Sequence, residues 1–202
     1  MHVPDFAEQP EIWAVNDKTE AVTRTFTLEE WAFDAQAPRT VRTRKEVTLP
    51  PGRAVQLDCV SAGADTNRVF LSLSLGSVVN DGFFTEYKNC ALAKAKVHVS
   101  SVTPVDGGTF DVTVETDRPA FYVWLNAAGI RGEFSDNSFT LLPGRPRTVR
   151  FVPKSRTVTL REFSLALTVT HLNENCRESS SAPTEDKGNV AALRALGLDV
   201  SN

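Results

Sequence analysis

Apolar residues recur at every second position in short runs, and each run is soon cut off by proline, glycine or an Asx pair. This constrains the chain more than any other feature. Val69, Leu71, Leu73 and Leu75 keep the alternation without a break. Phe110, Val112 and Val114 form one face of a second run, with Asp111, Thr113 and Glu115 on the other. Val149 and Phe151 form a third, with arginines before and between them. A period of two puts one face of an extended strand in a core and the other in water. Turn signals stand at Asn16-Asp17, Pro50-Pro51-Gly52, Asn80-Asp81-Gly82, Asp117-Arg118-Pro119 and Leu142-Pro143-Gly144. Pro fixes φ and lacks an N–H, Gly admits φ > 0, and Asn and Asp bond their own following backbone. Strands spaced in this way predict antiparallel sandwiches.

The sequence echoes itself. Leu49-Pro50-Pro51-Gly52-Arg53 parallels Leu142-Pro143-Gly144-Arg145, each ahead of a new strand. The 202 residues are therefore read as all-β, two tandem immunoglobulin-like antiparallel β-sandwiches over 8–92 and 93–173. Sandwiches of that size each bury only about 60–65% of their unfolded surface, so an apolar contact between them would help both. Residues 174–202 read as a polar tail, disordered over 177–188 with a short helix over 189–196. Within the first unit, Leu28-Glu29-Glu30-Trp31 is a bulge or a helical turn. In the second, Ala120 to Leu125 is apolar on both faces and predicts a central strand. Phe163, Leu165, Leu167 and Val169 alternate and predict the last strand.

The net charge of −3 and pI near 5.7 give no footprint for nucleic acid or an anionic membrane. The longest uncharged stretch near the middle, Val69 to Asn80, is far short of the roughly 20 apolar residues of a membrane helix. No signal peptide is visible in Met-His-Val-Pro-Asp-Phe. The compartment stays open between lysosomal, secreted and cytoplasmic. Cys59, Cys90 and Cys176 are too few for a disulfide framework. Cys59 reads as a small core residue, with a Cys59–Cys90 bridge as the alternative. No Cys and His stand at metal-ligand spacing, and neither a metal nor a cofactor is expected.

Two stretches carry a resemblance. Asn80-Asp81-Gly82-Phe83-Phe84-Thr85-Glu86-Tyr87-Lys88, followed by Leu92 and Val97, resembles the hinge between the last two domains of β-mannosidases of glycoside hydrolase family 2. Ala120 to Leu125, followed by Phe134-Ser135-Asp136-Asn137, Phe139, Leu142-Pro143-Gly144 and Phe151, is similar to their C-terminal Ig-like domain. Trp13-Ala14-Val15-Asn16-Asp17 is similar to the strand that opens the preceding sandwich. Related exo-β-glucosaminidases carry similar terminal domains. The resemblance implies an enzyme in which a sugar-binding sandwich, an Ig-like domain and a catalytic (β/α)₈ barrel precede two further sandwiches. It also implies that two barrel glutamates remove terminal β-mannose with retention. This chain would supply only the last two sandwiches and would partner that barrel. No strand–helix alternation of a barrel occurs here, so no catalytic residue carries over.

Each candidate site residue also has a plainer structural role. Glu86, Glu115, Glu133 and Asp136 are available carboxylates, but Glu115 lies on a solvated strand face and Asp136 serves a turn. Phe83, Phe84, Tyr87, Tyr122 and Trp124 are the candidates for interdomain or sugar contact. For Tyr122, Trp124 and Trp13, core or interdomain packing is favoured over stacking on a sugar. His98 and His171 read as surface or satisfied residues, and Arg145, Arg147 and Arg150 as a solvated face rather than a docking surface. A stand-alone carbohydrate-binding module and an Ig-like interaction protein are the other function classes.

Overall fold

The computed structural model describes residues 11–61, 63–154 and 157–176. Six strands come first: β1 (Glu11–Asn16), β2 (Val22–Ala32), β3 (Thr40–Leu49), β4 (Arg53–Cys59), β5 (Val69–Leu75) and β6 (Val78–Phe83). They form a four-stranded antiparallel sheet in the order β3-β2-β5-β6, faced by the pair β1-β4. Leu71, Leu73 and Leu75 point inward with Phe26, Leu28, Leu49 and Leu57, as the alternation in β5 requires. The register of β2 against β3 slips between Leu28 and Glu29, so the ambiguous Leu28–Trp31 stretch is a bulge and not a helical turn.

The second unit has β7 (Val97–Val105), β8 (Thr109–Thr116), β9 (Ala120–Ala127), β10 (Gly132–Phe134), β11 (Phe139–Leu141) and β12 (Arg147–Pro153). Helix α1 (Leu160–Ala166) and β13 (Leu167–Thr170) follow. The sheets are β10-β12-β8-β7 and β11-β9-β13. Phe110, Val112, Val114, Val149 and Phe151 meet Val123 and Leu125 between them. Among the described residues no strand ladder joins β1–β6 to β7–β13.

Several sequence expectations are corrected. The segment from Phe163 begins as a helix, because Thr159 and Glu162 make a capping box. The Thr159 hydroxyl accepts from the Glu162 N–H at 3.2 Å, and the Glu162 carboxylate accepts from the Thr159 N–H at 3.2 Å. The helix drives Phe163 between the rings of Phe110 and Phe151, at 4.5 and 4.7 Å, and leaves Leu165 exposed. Only Leu167–Thr170 is strand. Asn80-Asp81-Gly82 is no turn: it lies within β6, and the reversal sits at Gly76, whose φ is +61°. β9 is central, between β11 and β13, yet it is not buried on both faces: Trp124 is 51% exposed and Tyr122 45%. Trp13 is exposed as well. Cys59 is exposed rather than core, and no disulfide links it to Cys90. The expected tail and its helix lie outside the described residues, apart from the 3₁₀ turn Leu172–Asn175 and Cys176.

Candidate functional site

The densest chemistry lies where the two sandwiches meet. The outer face of the first sheet would be a solvated surface in an isolated sandwich, but here it is apolar. Trp31 and Phe70 are paired across β2 and β5, Phe83 is paired with Phe70 across β5 and β6, and Phe33 follows β2. Phe121 of β9 enters this cluster, with ring centroids 5.8 Å from Phe33, 5.0 Å from Phe70 and 5.3 Å from Phe83, all edge-on. Leu142 completes the cluster from the turn after β11.

A local irregularity in β9 aims Phe121. Phe139 stands opposite Val123 and Leu141 opposite Ala120, so β9 holds one residue more than β11 between those pairs. The extra residue is accommodated by Tyr122, whose φ is +51°. A bulky side chain at such a φ costs on the order of 1–3 kcal/mol. The strain turns Phe121 toward the first sandwich and lets Val123 and Leu125 face their own core. It also brings the Tyr122 hydroxyl to that of Tyr87, in the 3₁₀ turn Tyr87–Asn89, at 2.9 Å. The Tyr87 ring lies 4.5 Å from Phe83. Burial and the neighbouring Tyr122 push the Tyr87 phenol well above its usual range.

Polar contacts lock the junction. Arg145, beyond the Pro143-Gly144 turn, donates to Glu29 Oε1 at 2.7 Å, and Trp31 Nε1 donates to Glu29 Oε2 at 3.0 Å. The guanidinium lies 5.4 Å above the Trp31 ring. Burial pushes the Glu29 carboxyl up, but the hydrogen bonds from Arg145 and Trp31 and the guanidinium charge outweigh it and hold it below its ordinary value. Asn173 is fully buried, donates to the carbonyls of Ala93 and Pro119 at 2.6 and 3.0 Å, and accepts from the Phe121 N–H at 3.3 Å.

Two cavities flank Thr140 at this junction. One, of about 340 Å³, is walled by Asp81, Tyr87, Tyr122, Asp136, Ser138 and Arg147, among others. The other, of about 310 Å³, is walled by Glu29, Ser72, Ser74, Ser77 and Arg145, among others. Asp81 projects from β6. Burial pushes its carboxyl above the ordinary value, opposed by a hydrogen bond from Thr140. Its Oδ1 is shut off from solvent and has no hydrogen-bond partner.

Of the residues singled out in the sequence, Phe83, Tyr87 and Tyr122 come together here. Phe84 turns into the first core, and Trp124 stands on the outer face of β9 opposite Thr170 and lines neither cavity. The carboxylates serve cations or solvent: Glu86 pairs with Lys88, Glu133 with Lys154 and Asp136 with Arg147, while Glu115 is exposed. The arginines are no plain solvated face: Arg150 holds Asp111 through two bonds, and Arg145 crosses to the other sandwich. His171 bonds Asn173 at 3.1 Å, and His98 is exposed. Sequence reasoning missed Glu29, Asp81 and Asn173. Glu29 alone carried a signal, as a charged residue inside an apolar stretch at a suspected bulge.

Two antiparallel sandwiches, joined by an aromatic cluster and the Glu29–Arg145 ion pair, define the class as all-β. Comparison with known proteins narrows that class. Residues 92–175 match the family model of the mannosidase Ig-fold domain. A β-mannosidase of Capra hircus and one of Bos taurus are each 36% identical over 77 residues, 38% of this chain and 8% of theirs. The crystal structure of a β-D-mannosidase from Dictyoglomus thermophilum superposes on 81% of the chain with a TM-score of 0.69 at 21% identity, using 20% of its own length. An exo-chitosanase of Amycolatopsis orientalis superposes on 81% with a TM-score of 0.52 at 17% identity, using 24% of its own length. The second sandwich thus matches the mannosidase Ig-fold domain, and the chain spans 8% of the length of the curated relatives it matches.

Proposed function

We propose that this chain is the accessory end of a β-mannosidase-like hydrolase, packed against a catalytic (β/α)₈ barrel that removes terminal β-mannosyl residues. The match of residues 92–175 to the mannosidase Ig-fold domain carries the reading. The superposition of four-fifths of the chain on one-fifth of a β-mannosidase supports it. The two units, taken as 8–92 and 93–173, act as one rigid buttress, since Phe121 and Arg145 tie them together. Carbohydrate enters this reading as the substrate held by the barrel.

The isolated chain should not hydrolyse p-nitrophenyl β-mannoside, and a polypeptide that joins it to the barrel should. Turnover by the isolated chain that disappears on substituting Glu115 or Asp136 would overturn the proposal.

A further inference from the structure

We infer that the open flank of the first sandwich takes an extended segment of a second polypeptide, added as a strand to the free edge of β1 and carrying a basic residue opposite Glu11. The two layers of this sandwich are unequal: β1-β4 is two strands wide and β3-β2-β5-β6 is four. The smaller layer leaves part of the larger one bare. The inward Phe26 and Leu28 of β2 are each 1% exposed, whereas Leu73 and Leu75 of β5 are half-buried. Val78, opposite Leu75 on the same face of β6, is 66% exposed.

A cavity of about 290 Å³ marks the place. Glu11, Ile12 and Trp13 of β1 form one wall, and Asn80, Asp81, Gly82 and Phe83 of β6 the other, over a floor that includes Leu71 and Leu73. Neighbours along a strand point to opposite faces, so a wall of consecutive residues is a strand edge. No residue of β2, β3 or β4 lines the space, which therefore lies on the side of β1 away from β4. Among the described residues β1 pairs only with β4, and β6 only with β5, so both edges offer unpaired backbone. Neither strand carries Lys, Arg or Pro, the residues that blunt an edge, while β3, the other edge of the larger sheet, carries Arg42, Arg44 and Lys45. A Cβ at Gly82 would stand 3.6 Å from Leu71, an ordinary contact, so the position has room for a side chain and does without one. Glycine inside a strand often marks the close approach of another backbone.

The charges select the occupant. No Lys or Arg lines the cavity. Of its two carboxylates, Asp81 turns to Thr140 of the second sandwich and has Oδ1 closed to solvent. Glu11 is exposed and accepts from Trp13 Nε1 through Oε2 at 2.9 Å. The Trp13 ring, 53% exposed, lies beside that carboxylate, and the two together suit a Lys or Arg side chain. At β6 the Asp81 N–H is already taken by Asn80 Oδ1 at 3.0 Å, so the new ladder forms on β1. Backbone bonds to β1 supply affinity, and alternate apolar side chains over Leu71 and Leu73 supply selectivity. The first ten residues of the chain match Glu11 poorly, because they hold Asp5 and Glu8 and no Lys or Arg.

The test follows amide chemical shifts of the full 202-residue chain during titration with a blocked hexapeptide of alternating valine and threonine with one central arginine. The comparison peptides carry glutamate in place of the arginine, or proline at every second position, which removes ladder N–H groups. Saturable shifts are expected at residues 11–13 and 80–83 and not along β3. Gly82→Val should weaken binding about tenfold or more by filling the floor, with the melting temperature unchanged. Glu11→Lys should weaken the arginine peptide about fivefold and favour the glutamate peptide. Absence of saturable shifts at those positions would overturn the inference, as would equal binding of the proline peptide or unchanged affinity in both variants. Nuclear Overhauser contacts from residues 1–10 to the Leu71 methyls in the free chain, or a dimer of the free chain joined at the same amides, would overturn it too, by giving the flank to the chain itself. None of these results depends on a barrel being present, so failure here leaves the accessory reading standing, and the reverse also holds.

Discussion

Truncating Phe121 should uncouple the two sandwiches without unfolding either. The side chain is 1% exposed and makes edge-on contacts with three phenylalanines of the first unit. Phe→Ala at a site of this kind costs about 3–5 kcal/mol, from lost transfer free energy and the cavity left behind. The aromatic geometry contributes part of that. The loss falls on the junction, because each sandwich keeps its own core, one around Leu71 and Phe26, the other around Val112 and Phe163. Tryptophan fluorescence during urea unfolding reads the event, since Trp31 is buried in the junction while Trp13 and Trp124 are exposed. The intact chain should show one transition by fluorescence and by far-UV circular dichroism. Phe121→Ala should split it, with the Trp31 signal moving first. A single transition in the variant, or a loss under about 1 kcal/mol, would refute the claim that the junction couples the units.

Other substitutions test separate contacts. Thr159→Ala removes the capping box and should cost about 1 kcal/mol, or roughly 2–4 °C in melting temperature for a chain of this size. Trp124→Ser should change stability by less than about 0.5 kcal/mol, because the indole is half exposed; a larger loss would mean that the ring packs after all. Glu29 has a lowered carboxyl pKa in the folded state, so its contribution is present above the unfolded value and is lost as pH falls through the folded one. Acid titration of stability should therefore be steeper for the native chain than for Glu29→Gln. Asp81 has the opposite sign: its pKa is raised, so its cost appears as pH rises through the folded value. Asp81→Asn should melt higher than the native chain at neutral pH, and the difference should vanish in acid.

The sandwich architecture was legible because alternation in β5, β8 and β12 faces single, contiguous cores, and period two survives wherever one face is buried. It misled where a second, competing signal stood nearby. Phe163 and Leu165 alternate as a strand would, but Thr159 and Glu162 satisfy a helix start, and local capping prevailed. Asn80-Asp81-Gly82 has turn chemistry, but Gly76 supplied the left-handed residue first. Trp124 looked central because its strand is apolar on both sides, and the bulge at Tyr122 changed which residues face inward. The junction was the least legible part. Glu29 with Arg145, and Asn173 with Ala93, are partners far apart in the chain, and no local pattern encodes such a pairing. The aromatics Phe83, Tyr87 and Tyr122 could be named as a group, but not the buried carboxyl of Asp81 between them.

The central claim is that this chain works as the end of a larger β-mannosidase-like enzyme, and reading the source DNA and transcript upstream of Met1 tests it most directly. The account expects an open frame continuing into a (β/α)₈ barrel with two catalytic glutamates. A stop codon immediately upstream, with a genuine start signal at Met1 on the transcript, would contradict it and leave a free-standing pair of sandwiches.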